Sequence, residues 1–253
     1  MRIYLAGIRT AISYNCFDNI DMSKVYVLES FANIDKSVEP IIGKVKGFLL
    51  DSGAYTFFGK KSCGTSWEEY TDRYCDFIKR HNIEFFFELD IDALIGYENV
   101  LKLRKRIETS VGRQCIPVWH NTRGKEEYIK MCSEYPYVAI GGLVGSGSSG
   151  ASEYSKKVTK YFPWFINTAR KSGAKIHALG YTSVTGLKQY HFDSVDSTAW
   201  LSGNKFGTFY YFNGKAVVSR NRKIGERVKV LGDICRHNFA EWVKYQEYAD
   251  THL

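Results

Sequence analysis

GFLLDSGAYT, residues 47–56, runs an apolar, strand-forming stretch into an acid and a glycine. A strand buried on both faces has no favourable place for a carboxylate, so Asp51 at its exit either caps the next turn or faces a site. Shortly after it, WEEYTDRYCDFIKRH repeats apolar residues at Trp67, Tyr70, Tyr74, Phe77 and Ile78, which is a helical period. Ser66 precedes this run as an N-cap, with a capping-box glutamate, Glu69, at the third helical position.

Strand and helix alternate along the rest of the chain. Strand-like runs fall at Arg2–Ala6, Val25–Leu28, Gly47–Leu50, Glu84–Leu89, Cys115–Trp119, Tyr137–Ile140, Lys175–Leu179 and Phe192–Val195. Between them lie YENVLKLRKRIETS, GKEEYIKMCSEY and SEYSKKVTKYFPWFINTARKSG, in the last of which Pro163 kinks or restarts the helix. Eight such units predict an α/β fold, a (β/α)8 TIM barrel rather than an open doubly wound sheet. After Trp200 the pattern changes: GTFYYFNGKAVVS reads as a hairpin turning at Asn213-Gly214, and ICRHNFAEWVKYQEYAD as a closing helix. The expected organisation is a barrel over residues 1–200 and a C-terminal hairpin-plus-helix extension over 201–253, packed in the same domain. GSGSSGAS at 145–152 reads as a loop following a strand.

At 253 residues and 44% hydrophobic, the chain is long enough for one large core. A net charge of +8 with 15% aromatic residues suits a partner carrying phosphates. The six cysteines (Cys16, Cys63, Cys75, Cys115, Cys132, Cys235) show no CxxC spacing, so neither a compact zinc site nor a redox dithiol is written, and reduced thiols are expected. No stretch reaches the length of a membrane span, and the start, MRIYLAGIRT, lacks the features of a secretory signal; a cytoplasmic protein without a membrane partner is expected.

In a barrel of this kind the chemistry sits at the C-terminal strand ends. Those ends carry Asp51, Asp90 with Asp92, His120, Gly141-Gly142, Gly180, and Asp193 with Asp196. Each has a bland alternative: a helix-capping acid, a structural histidine, a tight glycine turn. Agreement among separate strand ends favours a site, because capping does not require the acids to gather at one end of successive strands.

The ordered set DSGAYT, ELDID, PVWH, YVAIGGLVG, HALGYTS and FDSVDS resembles the motif series of the tRNA-guanine transglycosylase superfamily: DSGGFQ, LDE, a strand ending in glutamine, AIGGLAVGE, LMGVG and DMFDC. The resemblance covers about residues 47–200. It implies a TIM barrel that exchanges guanine in a polynucleotide for a 7-deazaguanine without breaking the sugar-phosphate backbone. Carried over position by position, it makes Asp196 the nucleophile and Asp51 the general acid/base. Asp90 holds the guanine edge, with His120 where the family has a glutamine. Gly141, Gly142 and Leu143 match the loop whose backbone contacts the base, Leu179 and Gly180 the segment near it, and Tyr55 keeps an aromatic ring beside it.

These residue types suit the chemistry. Breaking a C1′–N9 bond passes through an oxocarbenium-like state that a carboxylate stabilises and traps, and a second carboxylate moves the proton. A carboxylate accepts from both N1–H and the exocyclic amine of guanine, a pattern adenine cannot supply. Phosphate contacts are expected at Arg220, Arg222, Lys223, Arg227 and Lys229, and secondarily at Lys102, Arg104, Lys105 and Arg106. The zinc-binding cysteine cluster of the tRNA enzymes has no counterpart here, Cys235 and His237 being the nearest remnants, so no metal and no cofactor are expected. Short zinc-free members of the superfamily, the DpdA-type enzymes of phages and bacterial modification systems, insert preQ0-like bases into DNA, and DNA is accordingly the expected partner. Open alternatives are tRNA as substrate, a base-releasing glycosidase and a non-catalytic nucleic-acid-binding barrel. A partner protein or a homodimer that delivers the strand also stays open.

Overall fold

The computed structural model describes residues 1–57, 64–142, 158–181, 183–203, 207–220 and 231–253. In chain order these form β1 (Arg2–Ala6), α1 (Ile8–Ser13), β2 (Tyr26–Ser30), α2 (Glu39–Ile42), β3 (Gly47–Asp51), α3 (Trp67–Arg80), β4 (Phe85–Phe86), α4 (Asp92–Ile95) and α5 (Tyr97–Val111). They continue with β5 (Val118–Trp119), α6 (Gly124–Glu134), β6 (Tyr137–Ile140), α7 (Phe162–Lys171), β7 (Lys175–Ala178), α8 (Val184–Gln189), β8 (Ser194–Ser197), β9 (Phe209–Phe212), β10 (Val217–Arg220) and α9 (Leu231–His252). The chain is thus mixed α/β, with eight strands in parallel pairings followed by an antiparallel hairpin and a long helix. It divides into two compact units: Met1–Leu28, Asp35–Gly47 and Gly180–Leu253 in the first, Glu29–Ile34 and Phe48–Leu179 in the second.

In the first unit β1 is central. It pairs with β2 at Leu5↔Val27 and Ala6↔Leu28, and with β8 from Arg2↔Ser194 to Leu5↔Ser197. Below Leu5 the β1–β2 ladder lapses, and the fully buried amide of Gln246 on α9 takes its place. Its Oε1 accepts from Tyr26 N at 2.9 Å, and its Nε2 donates to Tyr26 O at 2.7 Å and to Ile3 O. Buried polar side chains are tolerated when every group is paired in this way. The same helix serves β9: Asn238 Oδ1 accepts from Tyr210 N at 2.9 Å, and Glu241 Oε2 from Phe212 N at 2.6 Å. Its apolar side buries Phe239, Trp242 and Tyr245, with Phe239 edge-on to Trp200 at 5.1 Å. The hairpin turns where the sequence placed it. Val217 pairs with Phe212, Gly214 has φ +90°, and Asn213 Oδ1 accepts from the amides of Lys215 and Ala216.

In the second unit β3 pairs with β4 (Leu49↔Phe85, Leu50↔Phe86), β5 with β6 (Val118↔Ala139), and β6 with β7 from Tyr137↔Lys175 to Ile140↔Ala178. A parallel bridge, Phe87↔Ile116, links the β4 and β5 segments. Helix α3 starts as its sequence implies, with Ser66 Oγ accepting from Glu69 N at 3.1 Å. It buries Tyr70, Tyr74, Phe77 and Ile78, each worth about 1.5–3 kcal/mol of transfer free energy. The Tyr74 hydroxyl lies 2.9 Å from the Phe87 carbonyl and 3.3 Å from that of Leu50, and burial pushes its phenol well above the ordinary range.

β4, β5 and β8 differ from the sequence expectation in ways that move site residues, while the bounds of β2, β3 and β7 shift by one or two residues. β4 and β5 are cut to two residues each because the ladder is diverted: after Ile116 N→Phe86 O and Glu88 N→Ile116 O, the next amide, Val118 N, turns to the Glu88 side chain at 2.6 Å. β8 lies later than expected, so Asp196 is inside the strand, opposite Tyr4, rather than past its end. Among the described residues no helix is long and apolar enough to cross a membrane.

Gln246→Ala leaves Tyr26 N without the acceptor and Ile3 O without the donor that the amide supplies. A loss on the order of 3 kcal/mol is expected in urea unfolding; an unchanged midpoint would show that the amide is dispensable.

Candidate active site

Asp51 closes β3. Leu50 pairs with Phe86, whose ring meets Tyr74 of α3 at 6.5 Å, so Leu50 faces the helix and Asp51 faces away from it. Phe87 shares that away-facing side and meets the His177 ring at 5.3 Å. Asp51 also holds its own turn, its Oδ2 accepting from Gly53 N at 3.0 Å. Gly53 has φ +83°, and a Cβ there would lie 2.7 Å from Ala32 Cβ and 2.9 Å from the Tyr70 hydroxyl oxygen. That hydroxyl donates to the carbonyl of the fully buried Ser52 at 2.7 Å. Capping the turn and facing away from the helix are therefore both properties of Asp51.

Asp90 follows β4 and His120 follows β5. His120 Nε2 lies 3.0 Å from Asp90 Oδ2, with the two side chains 24% and 16% exposed. Val118, Ala139 and His177 are register partners, so alternation places His120 and Gly141 on the same face as His177. Gly141 leaves room for the imidazole: a Cβ there would come within 2.6 Å of His120 Cε1 and 2.9 Å of Val118 Cγ1. Gly142 has φ +71°. Leu179 N continues the β6–β7 ladder to Ile140 O at 3.1 Å.

Beside this pair lies a buried charge network that sequence reasoning missed. Glu88, fully buried, accepts from Arg104 Nε at 2.7 Å and from Arg123 Nη1 at 2.6 Å. Arg123 reaches Asp92 with a bidentate fork at 2.9 and 2.7 Å, and its guanidinium sits 4.3 Å from the centre of the Tyr97 ring. Burial opposes the charge of both arginines, but Glu88, joined at Arg123 by Asp92, holds their guanidiniums firmly protonated. Burial, helped by Glu127, pushes the Tyr97 phenol up to about 12. The expected phosphate contact at Arg104 is thereby corrected: it sits in the buried stripe Val100, Leu103, Arg104, Ile107 of α5, facing the protein rather than solvent. Arg106, exposed, is engaged bidentately by Asp72 at 2.7 Å on both arms.

In the first unit, Asp196 is 8% exposed and its Oδ1 accepts from Gly180 N at 2.6 Å. Gly180 has φ +67°. Asp193, expected at the same strand end, lies before β8, where its carbonyl accepts from Arg2 N at 3.0 Å. It is three residues, or about 10 Å of strand, from Asp196. Arg220, exposed at the end of β10, sits 5.4 Å from the Phe209 ring centre. His237 Nε2 lies 2.8 Å from Tyr210 O, against the hairpin. The Tyr55 side chain, Leu143, Arg222, Lys223, Arg227, Lys229 and the glycine-serine stretch at 145–152 lie outside the described residues.

The chain matches no protein-family model and no curated protein. Among the described residues no group of three or more His, Cys, Asp or Glu is placed to hold a metal ion. What the second unit brings together is a partly exposed carboxylate–imidazole pair beside Gly141, an arrangement able to hydrogen-bond the edge of a planar heterocycle. The first unit supplies a nearly buried carboxylate, Asp196, held by the Gly180 amide.

Arg104→Met removes one partner of a buried pair and should cost about 3–5 kcal/mol of stability in urea unfolding. An unchanged midpoint would show that Arg104 does not share the buried carboxylate of Glu88. Gly141→Ala forces the imidazole aside, costing about 1–3 kcal/mol in thermal unfolding, and a crystal structure should show the His120–Asp90 contact broken.

Proposed function

We propose that this protein is a cytoplasmic transglycosylase that exchanges guanine in DNA for a 7-deazaguanine, using an aspartyl-sugar intermediate. The observation that carries the proposal is the Asp90–His120 pair beside Gly141, two hydrogen-bonded polar side chains following β4 and β5 with a glycine that leaves room for the imidazole. The eight parallel strands are read as those of a (β/α)8 barrel, and the Phe87↔Ile116 bridge supports that reading.

In the proposed reaction Asp196 attacks C1′ as the C1′–N9 bond breaks, and Asp51 delivers a proton to the departing guanine. Asp51 then takes the N9 proton of the incoming base, whose nitrogen attacks C1′ and releases Asp196. Asp90 selects the base by accepting from N1–H and the amine. The target nucleotide is presented extruded or unpaired, since a stacked base cannot reach such a site. The basic segment from Arg220 to Lys229 supplies the phosphate contacts.

The test is incorporation of radiolabelled guanine or preQ0 into DNA, and separately into tRNA, by wild type, Asp196→Asn and Asp51→Asn. Label should enter DNA and fall by about 1000-fold or more with Asp196→Asn. Entry into tRNA alone refutes the DNA assignment, release of guanine without uptake indicates a glycosidase, and binding without either indicates a non-catalytic barrel.

A further inference from the structure

The β4–β5 ladder opens at one definable step. In a regular parallel ladder Val118 N would donate to the main-chain carbonyl of Glu88; here it donates to the Glu88 carboxylate at 2.6 Å. Beyond that step the two segments meet through side chains in two parallel staples. His120 meets Asp90 at 3.0 Å, and three residues on Arg123 grips Asp92 with both arms of its fork. The loops between the staples are short: Arg123 N closes a turn on His120 O at 2.9 Å, and Asp92 lies two residues past Asp90. Any movement of Arg123 therefore transmits directly to His120.

The two staples differ in kind. The Asp90–His120 pair is partly exposed, whereas the Arg123 side chain is 1% exposed and shares Glu88 with Arg104. The buried staple is the one able to fix a separation, because its fork is planar and Glu88, one of its two acids, is held further by Arg104 and by Val118 N. We propose that Arg123 is a positioning residue. Through Asp92 and Glu88 it holds the parted ends of β4 and β5 at the spacing where His120 Nε2–H donates to Asp90, which fixes the imidazole tautomer and leaves Nδ1 as an acceptor. Arg123 serves the proposed base-binding site, but its role does not depend on base exchange being the reaction.

The test uses the full-length protein labelled with ¹⁵N-histidine, with His120 assigned by a His120→Asn variant. Wild type should show a slowly exchanging, downfield Nε2–H resonance from His120. Arg123→Lys keeps the charge but loses the fork, and Asp92→Asn keeps the Arg123–Glu88 pair while weakening the other arm. Both should lose that resonance or show averaged tautomers while remaining cooperatively folded in thermal melts. Base-exchange kcat/KM should fall at least tenfold in both. Variants that keep the His120 resonance while their Tm falls would reduce Arg123 to a structural role and overturn the proposal. If wild type exchanges no base, the proposed reaction fails, and the resonance alone still decides the role of Arg123.

Discussion

A carboxylate with no solvent contact, Glu88, is the constraint on which the second unit depends. An ion in that position is tolerated only if its charge and its lone pairs are met, and here two guanidiniums and one main-chain amide meet them. With Asp92 the set holds two acids and two bases, so it is neutral as a group. The geometry results from this compensation. Because Val118 N is drawn to the side chain, the strands cannot zip further, and Asp90 and His120 emerge where the backbone has parted.

The same device recurs. Asp51 takes Gly53 N, Asp196 takes Gly180 N, Glu29 takes Ser30 N and Gln246 takes Tyr26 N. At each place a strand ends or a ladder lapses, and a side chain supplies the acceptor that the neighbouring strand no longer offers. Capping and function are therefore not rival explanations for an acid at a strand end. The bond to the main chain fixes the carboxylate, and a fixed carboxylate is what orientation-dependent chemistry requires.

How much of this was legible varies by element. The cap at Ser66, the stripe of α3, the Asn213-Gly214 turn and the alternation of strand and helix could be read because they depend on local periodicity and turn chemistry. Glu88 and Arg104 were harder, since a charge inside FFFEL or inside a buried helical stripe announces only that a partner exists, and the partner is distant in sequence. Arg104 occupies the i+4 place of the stripe begun by Val100, a signal that its charge pointed inward; read as one of a basic cluster, it looked solvated. Asp193 and Asp196 were grouped because single-residue strand boundaries decide which end a side chain belongs to, and those boundaries are set by pairing with β1 rather than by the run itself.

The histidine at position 120 bears on selectivity in the proposed reaction. A glutamine amide offers a donor and an acceptor together, so it can meet several base edges. In the tautomer proposed above, His120 spends Nε2–H on Asp90 and offers only the Nδ1 lone pair, and the carboxylate beside it offers only acceptors. The pair as a whole therefore presents an acceptor-rich edge. Guanine and amino-bearing deazaguanines answer it with N1–H and the exocyclic amine, whereas adenine would bring its own N1 lone pair against it. Excluding the wrong purine then rests on acceptor–acceptor repulsion as much as on hydrogen bonds gained, and it persists only while the imidazole is held in one tautomer.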